Sequence, residues 1–231
     1  MRAVLILLVV LMIALVVGDR VAVVMAQNEI GRQVAAEYEL PQRPDVTIGG
    51  YPFLTQAVDG IYQDIDIRVG DWSGQDISVR DLDVALTDVT ASLSDVLNRR
   101  GSNLVAATAT ATAVVPYDVV RTFAPSSVES ISDSPEGLRV NGTFPVAGLS
   151  VPATVFVTVT PVDGGIEVTP VSAQPAIGGP TIPLSLLRST LTFVVPLRQL
   201  PFGARLTGIE PEADGLHATA VAHDVRLTDT P

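Results

Sequence analysis

The sequence predicts an α+β domain: a long, curved, mostly antiparallel sheet packed on an N-terminal amphipathic helix and a second helix further along. Three observations predict it. Beyond Pro44 most of the chain alternates apolar and polar residues, the two-residue period of a half-buried strand. Turn-forming pairs such as Asp163-Gly164 and Asp214-Gly215 punctuate those runs. Helical spacing is confined to the start of the chain and to two shorter stretches, residues 116–124 and 184–195.

The chain opens with an unbroken apolar run, Val4 to Val17, directly after Arg2. At 1.5 Å per residue the run extends roughly 21 Å, short of a hydrocarbon core of about 30 Å and close to the proportions of a secretory h-region. Val24 and Ala26 supply the small residues of a cleavage site before Gln27. Residues 1–26 therefore read as a signal peptide or an N-terminal membrane anchor, and 27–231 as a single exported domain. Both fates of the leader stay open, because Asp19-Arg20 is tolerated at an interface. Helical character continues through 19–40, with Val23, Ala26, Ile30, Val34 and Tyr38 on one stripe, until Pro41 and Pro44 end it.

The strands follow in order. Val46–Ile48 is short and closes at Gly49-Gly50. Ile61–Val69 sets Ile65, Ile67 and Val69 on one face and Asp64, Asp66 and Arg68 on the other. Residues 77–87 alternate again, but Arg80-Asp81 breaks the phase, which predicts a bulge and a bend. Leu104–Val115 alternates threonines with alanines, and a short helix follows Pro116. Strands are then expected over 128–131, 138–144, 151–160 and 166–171, with a closing hairpin of 205–210 and 216–227 around Asp214-Gly215.

Composition excludes several kinds of chemistry. With 25 acidic and 14 basic residues the net charge is −11, which repels phosphate backbones and argues against nucleic-acid partners. Every basic residue is arginine, so Schiff bases and P-loop lysines are absent, and the lack of cysteine removes thiol and iron–sulfur chemistry. His217 and His223 are six apart on one strand, about 20 Å at 3.3 Å per residue, too far to share a proton or a metal. Asp64, Asp66, Asp81 and Asp83 pair on strand faces, but no calcium loop accompanies them and alternation explains them as a solvated face. Neither a nucleophile elbow nor a nucleotide fingerprint occurs. The chain reads as a non-enzyme with no cofactor.

Two segments interrupt the alternation with bulky apolar residues: Tyr51-Pro-Phe-Leu-Thr-Gln56 and Leu200-Pro-Phe-Gly-Ala-Arg205. Each admits two readings, a plug for the edge of the core or an apolar lip at a cavity mouth. The alanines of 107–113 likewise either pack tightly on the helices or leave an elongated apolar cavity suited to acyl chains. Phe53, Leu54 and Phe202 are the candidate lipid contacts, joined by Leu187 and Leu191 on the 184–195 helix, with Arg205 the candidate for a phosphate head group.

The stretches "PDVTIGGYPFLTQAVDGIYQDIDI", "DLDVALTDVTASLSDVL" and "LPFGARLTGIEPEADGLHATAVAHDVRL" resemble the LmeA-like family of actinobacterial envelope proteins, described as phospholipid-binding. The resemblance spans nearly the whole chain. It implies a fold like that of tubular lipid-binding domains and an exported or periplasmic, membrane-associated protein that binds phospholipid. It also implies a supporting role in lipomannan-type glycolipid assembly. The competing role is a non-catalytic scaffold or activator of an envelope glycosyltransferase. The family carries no catalytic residues over to this chain.

Overall fold

The computed structural model describes residues 2–74, 78–91, 104–146, 149–163, 165–175, 192–196 and 200–226. Helix α1 (Arg2–Glu37) is followed by β1 (Asp45–Ile48), α2 (Phe53–Asp59), β2 (Ile61–Ser73), β3 (Ser78–Thr90) and β4 (Val105–Val115). Helix α3 (Tyr117–Phe123) leads to β5 (Val128–Ser134), β6 (Gly137–Val146), β7 (Leu149–Val162), β8 (Gly165–Pro175) and β9 (Phe193–Pro196). A 3-10 turn (Pro201–Gly203) precedes β10 (Arg205–Glu212) and β11 (Gly215–Arg226).

The α+β class is as expected, and the strands divide between two sheets rather than one. The first has the order β1-β2-β3-β4-β11-β10 and the second β5-β6-β7-β8-β9. The second sheet is an antiparallel meander throughout, and β1–β2 and β10–β11 are antiparallel pairs. Residues 1–70, 83–110 and 222–231 make one compact unit, and residues 71–82 and 111–221 the other.

In the first unit, α1 packs on β1 and α2. Val46 and Ile48 of β1, Phe53 of α2 and Tyr62 and Ile65 of β2 are buried. In the second unit, Leu138, Phe144, Ala153, Val155 and Val157 of the second sheet form one apolar cluster with Leu216 of β11. Val115, Tyr117, Val120 and Ile209 pack against its margin.

The phase break at Arg80-Asp81 is a real feature of β3, where Asp81 is left-handed (φ 50°). The covered positions step by three across it, from Val79 to Leu82. Asp88 (φ 50°) and Asp224 (φ 52°) repeat the device, with steps of three from Leu86 to Val89 and from Ala222 to Val225. Aspartate tolerates the left-handed region better than most residues, and an extra residue of this kind bends and twists the strand.

The expected helix over 184–195 is corrected at its far end. Residues 193–196 form β9, where Val194 faces Glu167 and Phe193 faces Val168 across an antiparallel ladder. The β-branched and aromatic run Phe-Val-Val suits a strand better than a helix turn. Residues 184–191, with the candidates Leu187 and Leu191, lie outside the described residues, as does Ile77.

Candidate functional site

The Tyr51–Gln56 segment is not a loop. After the Tyr51–Pro52 cis peptide it winds into α2. Phe53 is buried beside Tyr62, with ring centroids 6.1 Å apart. Gln56 is also buried, and both polar atoms of its amide are bonded: Nε2 donates to the Gly49 carbonyl at 3.0 Å, and Oε1 accepts the Gln63 N–H at 2.9 Å. That side chain therefore fastens α2 to the ends of β1 and β2. Gly50 makes room for it. It has φ +80°, and a Cβ there would lie 2.7 Å from Gln56 Nε2.

Helix α2 has no capping side chain of its own, since Pro52 precedes it. The cap comes from α1: Asp19 Oδ1 accepts the Leu54 N–H at 2.8 Å. Asp19 is itself buried, and Arg20 donates to it at 2.6 Å. The Leu54 N–H, followed by the Arg20 guanidinium, holds the Asp19 carboxyl below the ordinary carboxylate range against the opposing effect of burial. Leu54's own side chain is exposed, as are those of Tyr51, Val58 and Ile61.

In the second unit the 3-10 turn holds Phe202 in a left-handed conformation (φ 58°, ψ 22°). A bulky residue there is strained by about 1–3 kcal/mol, a cost that clusters at functional positions. Phe202 is partly buried, and Arg205, three residues on, is exposed. Arg205 begins β10 opposite Val221.

Register then defines an aliphatic face. Leu206 stands opposite Ala220, Ile209 opposite Ala218, and Pro211 opposite Leu216. Leu216 is buried in the apolar cluster, but Ala218, Ala220, Leu206 and Ile209 are covered only in part. The pattern repeats on β4, where Val115 meets the cluster while Ala111 and Ala113, on the same face by alternation, are half-covered. The apolar face thus runs beyond the core that seals its end.

The β10–β11 turn brings together groups that sequence spacing did not unite. His217 Nε2 lies 2.9 Å from Asp214 Oδ1 and 3.7 Å from Glu212 Oε2. The three ligand atoms sit within 4.8 Å of one another. The turn is also tied from outside. Arg80 donates to the Asp214 carbonyl, and Tyr117 donates its hydroxyl proton to the Glu212 carbonyl at 2.7 Å. His217 lowers the pKa of Asp214 by hydrogen bonding, and burial with the nearby carboxylates pushes the Tyr117 hydroxyl up to about 12. The group is a clamp on the hairpin. The local signal was His217 three residues after Asp214 on either side of a turn. Glycine is required in that turn at Gly215 (φ +155°), where a Cβ would lie 2.5 Å from the Val115 carbonyl oxygen. His223 stands apart from this group, its Nδ1 3.4 Å from the Thr108 hydroxyl. Asp64, Asp66, Asp81 and Asp83 are all exposed.

The described residues thus combine an apolar N-terminal helix, two sheets and an incompletely covered aliphatic face. The chain belongs to the LmeA-like phospholipid-binding family, whose pattern matches residues 17–221. No curated protein and no solved structure is a match for it.

Proposed function

We propose that the protein is an exported phospholipid-binding protein of the cell envelope that supports lipomannan-type glycolipid assembly without catalysing a reaction itself. Acyl chains lie along the aliphatic face of β10 and β11, with Phe202 at one end and Arg205 beside it for the phosphate. The observation that carries this reading is the partial covering of Leu206, Ile209, Ala218 and Ala220, small and medium side chains that continue the core without being sealed by it. Each acyl CH₂ group buried there contributes about 0.8 kcal/mol, so affinity does not require a cluster of basic residues. An elongated cavity and a single domain over residues 27–231 are part of the same proposal.

Lipid extraction followed by mass spectrometry tests it. The wild-type protein is expected to carry phospholipid that Ala218→Phe, which fills the face, does not. Equal lipid content in the two proteins overturns the assignment. A lipid-free protein that co-purifies with an envelope glycosyltransferase would favour the scaffold role.

A further inference from the structure

We propose that α1 is retained in the finished protein as a membrane anchor, and that its tie to α2 presses an apolar stripe of α2 onto the bilayer surface. The proposal concerns how the protein meets the membrane and stands independently of the lipid-binding face on β10 and β11.

The first observation is continuity. Helix α1 runs unbroken from Arg2 to Glu37. Every large apolar side chain from Val4 to Val17 is exposed, on all sides of the helix. A helix apolar all round and covered by nothing is matched to lipid. Arg2 and Arg20 bracket the apolar run at its two ends, where long arginine side chains reach the membrane–water interfaces.

The second observation is that residues ahead of the cleavage motif are built into the folded unit. Asp19, only 2% exposed, caps α2 through the Leu54 N–H, and Val23 is buried in the core. Cutting before Gln27 would remove both. It would leave the start of α2 with unsatisfied N–H groups, because Pro52 supplies no side-chain cap. A segment that is discarded after export has no reason to complete a core.

The third observation is the outer face of α2. Leu54 and Val58 lie four residues apart on one side of α2, and both are exposed, Val58 by 77%; Ile61, exposed as well, follows the helix as the first residue of β2. Asp19 is two residues past Val17, so its bond to Leu54 sets the start of α2 level with the point where α1 leaves the bilayer. Tyr51, exposed beside α2, lies under the Arg20 guanidinium at 5.1 Å from the ring centroid. Tyrosine and arginine at such a level suit the headgroup zone, and the stripe below them suits the acyl boundary. The chain is strongly acidic, so apolar contact supplies the docking rather than attraction to anionic lipid.

The native chain has no cysteine, which permits single-site labelling of the full-length protein. Val58→Cys and Asp66→Cys, each carrying an environment-sensitive NBD dye, are reconstituted in phosphatidylcholine vesicles containing doxyl-labelled lipid. Asp66 is exposed and lies five residues along β2 from Ile61, about 17 Å away. Quenching at position 58 is expected to exceed that at position 66 at least threefold. Within the Val58→Cys protein, Asp19→Ala is expected to lose at least half of that quenching, and Asp19→Asn, which retains an acceptor for the Leu54 N–H, to keep it. The intact mass of protein extracted from membranes is expected to include residues 2–26. A mature chain starting at Gln27, equal quenching at positions 58 and 66, or equal quenching in the two Asp19 variants each overturns the proposal; the mass measurement stands even if Asp19→Ala fails to fold.

Discussion

The Asp19 carboxylate accepts the backbone N–H of Leu54 at 2.8 Å across 35 residues of chain, so the helix that carries the apolar run also caps the first short helix of the folded unit. Its hydrogen bond from Leu54, then its pairing with Arg20, depress the Asp19 pKa. A depressed carboxyl contributes stability that is fully present above its unfolded value of 3.8 and is lost as pH falls below it through the folded value. Asp19→Ala is therefore expected to lower Tm at neutral pH, followed by circular dichroism in detergent. The gap to wild type should close as the pH is lowered through and below 3.8. A gap independent of pH would remove the charged cap as its cause.

Gln56 ties α2 to the strands on either side of it. Truncation to alanine leaves the Gly49 carbonyl and the Gln63 N–H without their side-chain partner at a partly buried junction and opens space where the buried Gln56 side chain stood. The expected loss is about 1–3 kcal/mol by urea unfolding. Gly50→Ala is expected to cost about 1–2 kcal/mol for the left-handed backbone alone, and more because the new methyl would meet the Gln56 amide. In a Gln56→Ala background that second part should vanish, so the two losses combine to less than their sum. Full additivity would mean that the two residues do not share one clamp.

Much of this architecture was legible in the residues because alternation is a local signal. The strand over 61–69 reads directly from Ile65, Ile67 and Val69, and the break at Arg80-Asp81 marks a residue with φ 50°. The breaks at Asp88 and Asp224 carry the same mark, an apolar step of three with aspartate inside it, and were readable by the same rule. Helix α2 was not readable. Seven residues hold too little periodicity, and its support comes from Asp19 and Gln56, contacts that local propensity does not encode. Phe53 read as a plug or as a lip; it is buried beside Tyr62. The division into two sheets was hidden for a similar reason. Alternation identifies strands but not their neighbours, and the pairing of β4 with β11 joins segments about a hundred residues apart.

Tyr117 offers a test at the alkaline end. Burial, then the charges of Asp133, Asp214 and Glu212, raise its pKa to about 12 from 10.0. A raised pKa means stability that is intact below the unfolded value and lost as pH climbs from 10.0 towards 12. Tyrosinate absorbance should show a late component near pH 12 that Tyr117→Phe removes. The same substitution deletes the hydroxyl bond to the Glu212 carbonyl and should cost about 0.5–1.5 kcal/mol at neutral pH. A late component that survives in Tyr117→Phe would assign it to another tyrosine.

Phe202 separates fold from function most sharply. Its left-handed backbone costs stability, and the Pro-Phe-Gly turn that holds it directly precedes β10. If the turn served only the fold, glycine would be the better residue at this position. Phe202→Gly is expected to change unfolding stability by no more than about 1 kcal/mol, because the relieved strain is set against the added freedom of the unfolded glycine and the lost burial of a partly covered ring. On the proposed function, which sets the Phe202 ring at one end of the face, phospholipid recovered by extraction should fall at the same time. A substitution that stabilises the protein and empties it of lipid would show that the strain is maintained for binding. One that destabilises the protein and leaves its lipid content unchanged would return Phe202 to the role of a core plug.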